Sequence, residues 1–483
     1  MLEEGQFPSP FPVTRSNTQT YGSVFGIGAA FGALPAGTVA KIFGRCKSMV
    51  IFELFMCLGW LFLTIPRAVW MLIVGRILQG IGVGALCAVI PSYVGEISQA
   101  SVRGNLQSTF IYILAISTPC LFSIVYLISL YYNIFRHILF NILSLTIILK
   151  LFISLAIINP SFRHFTRGLG SMFQGLTVVG IMFAYVAGAF LPYVFFNAAC
   201  CVWAVSHIVG VLLIPESPYY FLSKNMDDKA ALALKKLRGT NADTTQELAE
   251  IKKASEEQTR SEKMSFFEVM SSKVNRRALY IGVGCMFFQQ ASGINVVVFY
   301  MTGIFEDTGS NINPKKAAII VSAVQLLMTF ITMLVIDKAG RRKLLIFSGV
   351  MMGISHIILA HYYFHYERNP LLSESIAWIP LVSIAMFISA FALGFGPIPW
   401  VVMGEIFSNE VKPYGTSIAT AINWLLVFLV TYSAEYLAKI VGNGGTFLIF
   451  GLFCWIAAVF SLVLVPETQN RTLAEIQKEL AEK

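Results

Sequence analysis

The sequence predicts an all-α membrane protein built from two related helical halves, and its composition, its apolar stretches and an internal repeat carry this prediction. Hydrophobic residues make up 56% of the chain, charged residues make up 13%, and the mean hydropathy is +0.70. Soluble domains carry about a quarter charged residues. Stretches of ~20 apolar residues need a bilayer as solvent, and inside a bilayer a helix satisfies its own backbone hydrogen bonds.

The internal repeat consists of short charged motifs that occur once in each half. The first half contains, in order, Gly44-Arg45-Cys46-Lys47, Glu96, Arg103 and Pro215-Glu216-Ser217. The second half contains Gly340-Arg341-Arg342-Lys343, Glu405, Lys412 and Pro466-Glu467-Thr468. The interval from the acid to the following base is seven residues in both copies. Set among apolar stretches, this repeat predicts a membrane bundle with a two-fold plan.

Apolar segments divide the chain into two helical halves that a polar linker joins. The predicted helices are 20–39, 48–65, 70–94, 170–190, 192–214, 277–305, 313–336, 343–364, 375–402, 413–438 and 443–465. The expected organisation is a polar N-terminal tail (1–19), an N-terminal half (20–214), a cytoplasmic linker with short helices (215–276), a C-terminal half (277–465) and a cytoplasmic tail (466–483). The tail carries apolar residues at helical spacing, which predicts a short surface helix.

The distribution of charge and cysteine excludes several classes of function. Much of the net charge of +9 lies in short segments between apolar stretches, which does not indicate nucleic-acid binding. Twelve Lys and Arg residues between Lys224 and Arg277 predict that the linker is cytoplasmic. The eight cysteines have no metal-ligand spacing and are interpreted as small buried side chains. We expect neither an enzyme nor a cofactor or metal site, because the sequence offers no nucleophile–base pair, metal cluster or phosphate loop.

The repeated charged motifs predict salt bridges between helices beneath the two halves. Charged side chains at the ends of membrane helices need water or partners. Half-exposed ion pairs are worth only about 1 kcal/mol each, which suits a latch that closes in one conformational state and opens in another. The alternative is charge that only sets topology. The expected latch residues are Arg45, Arg76, Glu96, Arg103, Asp337, Arg341, Arg342, Glu405 and Lys412.

Longer motifs in a fixed order resemble a known family. They are Gly75-Arg76, Pro91-Ser92-Tyr93-Val94-Gly95-Glu96, Pro215-Glu216-Ser217-Pro218, Gln289-Gln290-Ala291-Ser292-Gly293-Ile294-Asn295, Asp337-Lys338-Ala339-Gly340-Arg341-Arg342, Gly394-Phe395-Gly396-Pro397-Ile398-Pro399-Trp400, Asn423-Trp424, and Pro466-Glu467-Thr468 followed by Arg471. Together they resemble the sugar porters of the major facilitator superfamily, and among these the insect facilitated trehalose transporter-like proteins. The resemblance covers about 20–106 and 170–483.

The resemblance implies a sugar cavity between two six-helix halves, where amides and indoles of inner helices bind hydroxyl groups. An amide offers both a donor and an acceptor, which matches a hydroxyl, and an indole offers a flat apolar face with one N–H donor. The alternative role for these amides is hydrogen bonding between helices. The substrate-binding residues carried over by the resemblance are Gln174, Gln289, Gln290, Asn295, Trp400, Asn423 and Trp424.

A segment rich in glycine and proline bears on conformational change, and the histidines bear on proton transfer. Gly394, Gly396, Pro397 and Pro399 cannot form an unbroken helix, because proline removes a backbone donor and clashes with the preceding turn, so we expect a hinge there. The histidines are interpreted as packing or interface residues in preference to a proton relay; they are His207, His356, His361 and His365.

The chain departs from the family pattern in two large features. The polar start leads straight into what resembles the second helix of the family, so the first helix, which lines the cavity, is expected to be missing. Residues 107–169 are expected to match nothing in the family, and a retained intron or faulty gene model competes with a genuine insertion of two extra membrane helices.

The expected function is facilitative transport of trehalose or a hexose by alternating access. The competing hypothesis is a non-transporting sugar-binding or sensing protein, or an inactive truncated product of a transporter gene. The expected partners are a small-molecule sugar and the lipid bilayer, with no nucleic acid. The plasma membrane is the expected location, and the oligomeric state is open.

Overall fold

The computed structural model describes residues 15–97, 169–238, 244–261, 266–308, 312–368, 376–408 and 410–482. Residues 1–14 of the predicted tail 1–19, residues 107–168 of the stretch 107–169, and Arg103 therefore lie outside the described residues. Within the described ranges the regular structure is helical, and nine helical segments are long and apolar enough to cross a bilayer. The chain is therefore a multi-pass helical membrane protein.

The N-terminal half and the linker contain nine of the described helices. The half contains α1 (Arg15–Phe43), α2 (Arg45–Thr64), α3 (Val69–Ile97), α4 (Leu169–Phe190) and α5 (Tyr193–Leu213). The linker contains α6 (Pro218–Ser223), α7 (Asp227–Arg238), α8 (Thr245–Ser261) and α9 (Phe266–Ser271).

The C-terminal half and the tail complete the bundle. They contain α10 (Lys273–Ala291), α11 (Ile294–Asp307), α12 (Pro314–Ala339), α13 (Arg341–Arg368), α14 (Ile379–Leu393), α15 (Ile398–Ile406), α16 (Lys412–Val463) and α17 (Leu473–Glu482).

Glycine accounts for two places where helix bounds differ from the predicted ones. The predicted helix 277–305 is divided into α10 and α11, because Gly293 takes a left-handed conformation with φ 79°. The predicted helices 413–438 and 443–465 are joined in α16, and a single kink at Gly442 with φ 74° replaces the expected loop. Only glycine adopts such φ values without strain.

The tightest helix crossing joins α1 to α3, and small residues make it possible. A Cβ atom added at Gly28 or Gly32 of α1 would overlap the carbonyl groups of α3, and one at Gly80 or Gly84 of α3 would overlap those of α1. In membranes, helices associate through close packing of this kind, since lipid tails are as apolar as leucine. This crossing builds the framework of the N-terminal half.

The two halves meet along α1 and α16. A Cβ atom at Gly26 would lie 2.7 Å from the carbonyl oxygen of Trp424 and 2.8 Å from the backbone nitrogen of Phe428. A second contact brings α4 near α12, where Gly175 faces Met333. The interface between halves therefore passes directly beside Trp424.

Gly84→Ala should lower the stability of the protein because the new methyl group meets the Ala29 carbonyl. We expect a loss of about 1–3 kcal/mol, the usual range for overpacking. Thermal unfolding of purified protein in detergent micelles measures it. Gly180→Ala is the matched control, because a Cβ atom there meets no heavy atom within 4 Å. Equal unfolding temperatures for the two variants would contradict the close crossing.

Candidate functional site

A charged cluster closes one end of the N-terminal half; we call Arg45, Glu96 and Glu216 the first cluster. The Arg45 guanidinium donates from Nη2 (2.6 Å) and Nε (3.0 Å) to Glu96 Oε1. The Glu216 carboxylate accepts from the backbone N–H groups of Arg45 (2.9 Å) and Cys46 (3.0 Å). Three separate segments of the chain therefore converge here.

The second cluster is Arg341, Glu405 and Glu467, and it repeats the first in the C-terminal half. Arg341 Nη2 donates to Glu405 Oε1 at 3.2 Å. The Glu467 carboxylate accepts from the backbone N–H groups of Arg341 (2.9 Å) and Arg342 (3.2 Å). The repeated sequence motifs thus form the same arrangement of side chains twice.

The carboxylates of Glu216 and Glu467 cap the starts of α2 and α13, and each of these helices begins directly after a glycine. The first N–H groups of a helix have no partner within it and carry partial positive charge, which favours an anion. Gly44 (φ 96°) precedes α2, and Gly340 (φ 87°) precedes α13. A Cβ atom at either glycine would overlap the capping carboxylate. Glycine is thus needed for both the backbone angle and the space.

The soluble helices attach to the same end of the bundle. Arg238 of α7 donates to the carbonyl of Ile97 at 3.1 Å, and Gln477 of α17 donates to the carbonyl of Ile406 at 2.7 Å. Each carbonyl belongs to the residue that follows a cluster acid. The linker therefore hydrogen-bonds the N-terminal half, and the tail hydrogen-bonds the C-terminal half, at equivalent positions of the internal repeat.

A capping box at the start of α17 fixes the helix that carries Gln477. The backbone N–H of Thr472 donates to Glu475 Oε2 at 2.7 Å, and the backbone N–H of Glu475 donates to Thr472 Oγ1 at 3.3 Å. The hydrogen bond from the Thr472 backbone lowers the pKa of the Glu475 carboxyl. The tail helix is thus the short surface helix that the sequence predicts.

The remaining expected latch residues are placed differently. Arg342 directs its guanidinium to the carbonyl of Leu462. Lys412 is exposed at the first turn of α16. The Asp337 side chain and the whole of Arg103 lie outside what the structure describes.

The expectation that Arg76 joins the latch is wrong. Arg76 lies 20 residues before Glu96 on the same helix, which separates them by about 30 Å at 1.5 Å per residue. Its guanidinium carbon lies 4.7 Å from the ring centre of Tyr21 and 5.3 Å from that of Phe25, and Nη1 donates to Gln79 Oε1 at 3.2 Å. The predicted helix 70–94 already placed Arg76 near its start and Glu96 just beyond its end, so the sequence carried the signal for this separation.

Sequence reasoning assigned no role to the two capping residues, Glu216 and Glu467. The signal was present, because Pro-Glu-Ser and Pro-Glu-Thr were part of the repeat. Nothing in the sequence showed that these acids meet the residues after Gly44 and Gly340.

Four of the expected substrate-binding residues form one connected network, which we call the amide network: Gln289, Gln290, Asn295 and Asn423. Asn423 Nδ2 donates to Gln289 Oε1 (2.9 Å), and Gln290 Nε2 donates to Asn423 Oδ1 (3.2 Å). Asn295 Nδ2 donates to Gln290 Oε1. Gln289, Gln290 and Asn423 are 4%, 4% and 2% exposed, so the network is buried between α10, α11 and α16.

The amide network is joined to the expected hinge. Residues 394–397 separate α14 from α15, so the helix is broken where the sequence predicts it. Pro399 has no N–H, so the carbonyl of Phe395 lacks a helical donor four residues on. Gln289 Nε2 replaces that donor at 2.7 Å and also reaches the carbonyl of Gly396 at 3.0 Å. The Gln289 side chain thus supplies the hydrogen-bond donor that the helix break lacks, and it also hydrogen-bonds Asn423.

The remaining expected substrate-binding residues are Trp424, Trp400 and Gln174. Trp424 Nε1 is buried without a hydrogen-bond partner, and its ring meets Phe25 of α1 edge-on at 5.8 Å. Trp400 is half-buried and packs against the core of the C-terminal half. The backbone of Gln174 is helical within α4, and its side chain lies outside the described part. A free donor therefore faces the interface between halves beside the amide network.

The two-fold clusters and the apolar spans define a multi-pass bundle of two related halves, with a polar network inside the C-terminal half. The profile of the family described as "Sugar (and other) transporter" matches residues 6–165 and 150–480. The chain belongs to this family. Both matched ranges reach into the stretch 107–169, and they overlap at 150–165.

The chain is similar to insect proteins named facilitated trehalose transporter Tret1. It is 31% identical to the one of Anopheles gambiae over 473 residues, which covers 97% of this chain and 51% of that protein. It is 31% identical to the one of Apis mellifera ligustica over 471 residues, which covers 98% and 81%. The chain thus spans about half the length of the mosquito relative.

Solved structures show the same fold. The xylose transporter XylE from E. coli, in a partially occluded inward open conformation, aligns with a TM-score of 0.66 at 23% identity and covers 96% of this chain and 91% of that one. Its inward open conformation aligns with a TM-score of 0.65 and covers 97% and 91%. The fold is therefore that of the major facilitator superfamily.

Glu467→Ala should destabilise the C-terminal half because it removes the cap of α13. We expect a loss of about 1–2 kcal/mol, as for other helix caps. Thermal unfolding in micelles measures it, and Glu482→Ala is the control because that side chain is 66% exposed at the end of α17. If both variants unfold at the wild-type temperature, the Glu467 cap does not contribute to the stability of the protein.

Proposed function

We propose that this chain carries a sugar across a membrane by alternating access, with the amide network as part of the binding site. The observation that supports the proposal is a network of four neutral amide side chains, three of them buried, next to Trp424, where α16 packs against α1 of the other half. Membership of the sugar transporter family supports the same conclusion.

The chemistry of the network suits a polyol that must leave again. Each amide can donate to one hydroxyl and accept from another. Neutral groups bind without the large desolvation penalty of a buried charge. A sugar would replace hydrogen bonds that the amides now make with each other, and Trp424 Nε1 supplies a donor that needs a partner.

Gln289 links sugar binding to the hinge in this proposal. Its Nε2 group holds the carbonyls of Phe395 and Gly396, and its Oε1 group accepts from Asn423. A sugar that competes for Gln289 would release those carbonyls and free the broken segment to move. The expected hinge residues Gly394, Gly396, Pro397 and Pro399 would then respond to occupancy.

The two clusters would act as the latch, and the linker and tail would lie on the cytoplasmic side with them. The side chains of the Arg45–Glu96 and Arg341–Glu405 pairs are only 10–29% exposed, so opening of the latch would have to bring water to both pairs. We propose facilitative transport of trehalose or a hexose, because the insect relatives are named facilitated trehalose transporters, and we propose the plasma membrane as the location. The same relatives do not favour the non-transporting alternative.

Gln290→Ala should reduce sugar uptake about tenfold at low sugar concentration, because the loss of one or two hydrogen bonds costs about 1.4 kcal/mol. Uptake of radiolabelled trehalose into proteoliposomes, normalised to the reconstituted protein, measures the effect. Gln246→Ala is the control, because Gln246 is exposed on α8 and hydrogen-bonds its helix neighbour Glu250. Unchanged uptake in folded Gln290→Ala would contradict the proposal, and wild-type binding without flux would favour a sensor.

Replacing Pro397 and Pro399 together with alanine should slow uptake more than it lowers the amount of protein at the cell surface. Alanine restores the backbone donors, so a continuous helix can form in place of the break. Surface biotinylation and initial uptake rates, measured on the same cells, separate the two effects. An equal fall in both would remove the support for a hinge.

A further inference from the structure

A carboxylate and an imidazole meet inside the membrane-spanning part of the N-terminal half. His207 Nδ1 on α5 lies 3.0 Å from Glu53 Oε2 on α2. The Glu53 side chain is 4% exposed and the His207 side chain is 23% exposed. Neither residue belongs to the clusters or to the amide network.

The internal repeat provides a comparison for this pair. Glu53 lies eight residues after Arg45, and Gly349 lies eight residues after Arg341. His207 lies eight residues before Pro215, and Ala458 lies eight residues before Pro466. The equivalent positions are therefore Gly349 and Ala458.

The C-terminal half makes the same contact between helices without charge. A Cβ atom added at Gly349 would lie 3.0 Å from the Cβ atom of Ala458. Small apolar residues are thus enough to pack α13 against α16. The contact between α2 and α5 does not need ionisable side chains for packing.

Ionisable groups at membrane depth are costly, and apolar residues can often replace a buried ion pair without loss of stability. Such residues are found where a protein moves or binds ions or protons. Glu53 and His207 occupy a position at which the fold itself tolerates glycine and alanine. A chemical role therefore explains the pair better than packing does.

We infer that Glu53 and His207 form an intramembrane proton-binding site in the N-terminal half. With one proton between Oε2 and Nδ1, the pair is neutral overall. A second proton taken from water makes the pair cationic, and loss of the shared proton makes it anionic. No bond other than those to hydrogen changes, and the proton comes from or returns to water.

The charged side chains nearby are paired with other residues, so the charge of the pair is determined by Glu53 and His207 themselves. In the described part of the chain, Cys57 of α2 lies near both Glu53 and Cys201 of α5. On α3, Gly82 packs against Phe52 and Met56 at this level. The charged groups of α3 are engaged elsewhere, Arg76 with Gln79 and Glu96 with Arg45.

A change of charge at the pair would reach the first cluster through α5. A charged pair needs water, which would have to enter between α2 and α5. After α5 ends, Tyr93 donates to the carbonyl of Pro215 at 2.7 Å, and Glu216 caps α2. Proton binding would therefore alter how firmly the first cluster closes. This consequence, unlike proton binding itself, rests on the proposed transport function.

Infrared difference spectra of the purified protein between about pH 5 and about pH 8, the range in which histidine switches charge, test proton binding without transport. We expect a protonated-carboxyl band in the wild type that Glu53→Gln abolishes. In His207→Gln the band should remain but change in frequency, because an amide replaces the imidazole as the partner of the Glu53 carboxyl.

Two further variants keep the experiment interpretable. Glu435→Gln breaks a pair in which Lys439 is 67% exposed, and it should retain the band. Glu53→Gly with His207→Ala copies the C-terminal half and should keep the fold while losing the band. Wild-type spectra without the band, or a band that persists in Glu53→Gln, would overturn the inference.

Initial sugar uptake across the same pH range tests the consequence. The wild-type rate should change by several-fold, while Glu53→Gln and the Gly/Ala double variant should give flat and similar profiles. If neither the wild type nor any variant transports sugar, the proposed transport function is wrong. The infrared result still decides whether the pair binds protons. Uptake with the wild-type pH profile in both variants would overturn the regulatory consequence.

Discussion

Two carboxylates, Glu216 and Glu467, hold the end of this bundle together by capping helices that lie far from them in the sequence. Each accepts hydrogen bonds from the first backbone N–H groups after a left-handed glycine. The arginine that begins each capped helix then reaches the acid of a third segment. The rest of the framework depends on this arrangement, because it fixes three helices of each half relative to one another.

The clusters and the amide network lie in different parts of the molecule, and the broken helix connects them. Gln289 holds the carbonyls that Pro399 leaves without a donor, and α15 continues from the break to Glu405 of the second cluster. A short rigid helix thus runs from the buried amides to the charged end. The two regions can influence each other through that helix without any long-range path through the core.

The sequence predicted the helical membrane class, most helices, the break at 394–397 and salt bridges between helices at the repeated charged motifs. These follow from hydropathy, proline chemistry and a repeat, all of which are local or count positions along the chain. It did not predict the caps by Glu216 and Glu467 or the meeting of Glu53 with His207. Those depend on which helices lie side by side, and a single sequence does not specify that.

The central claim is that both clusters are closed together in one state and open in another. Spin labels at Lys47 and Lys343, two exposed residues at equivalent positions of α2 and α13, report the distance between the charged ends of the halves. With native cysteines replaced, the account predicts that trehalose shifts this distance distribution, and that Arg45→Gln with Arg341→Gln shifts it without sugar. A distribution that neither change alters would contradict it.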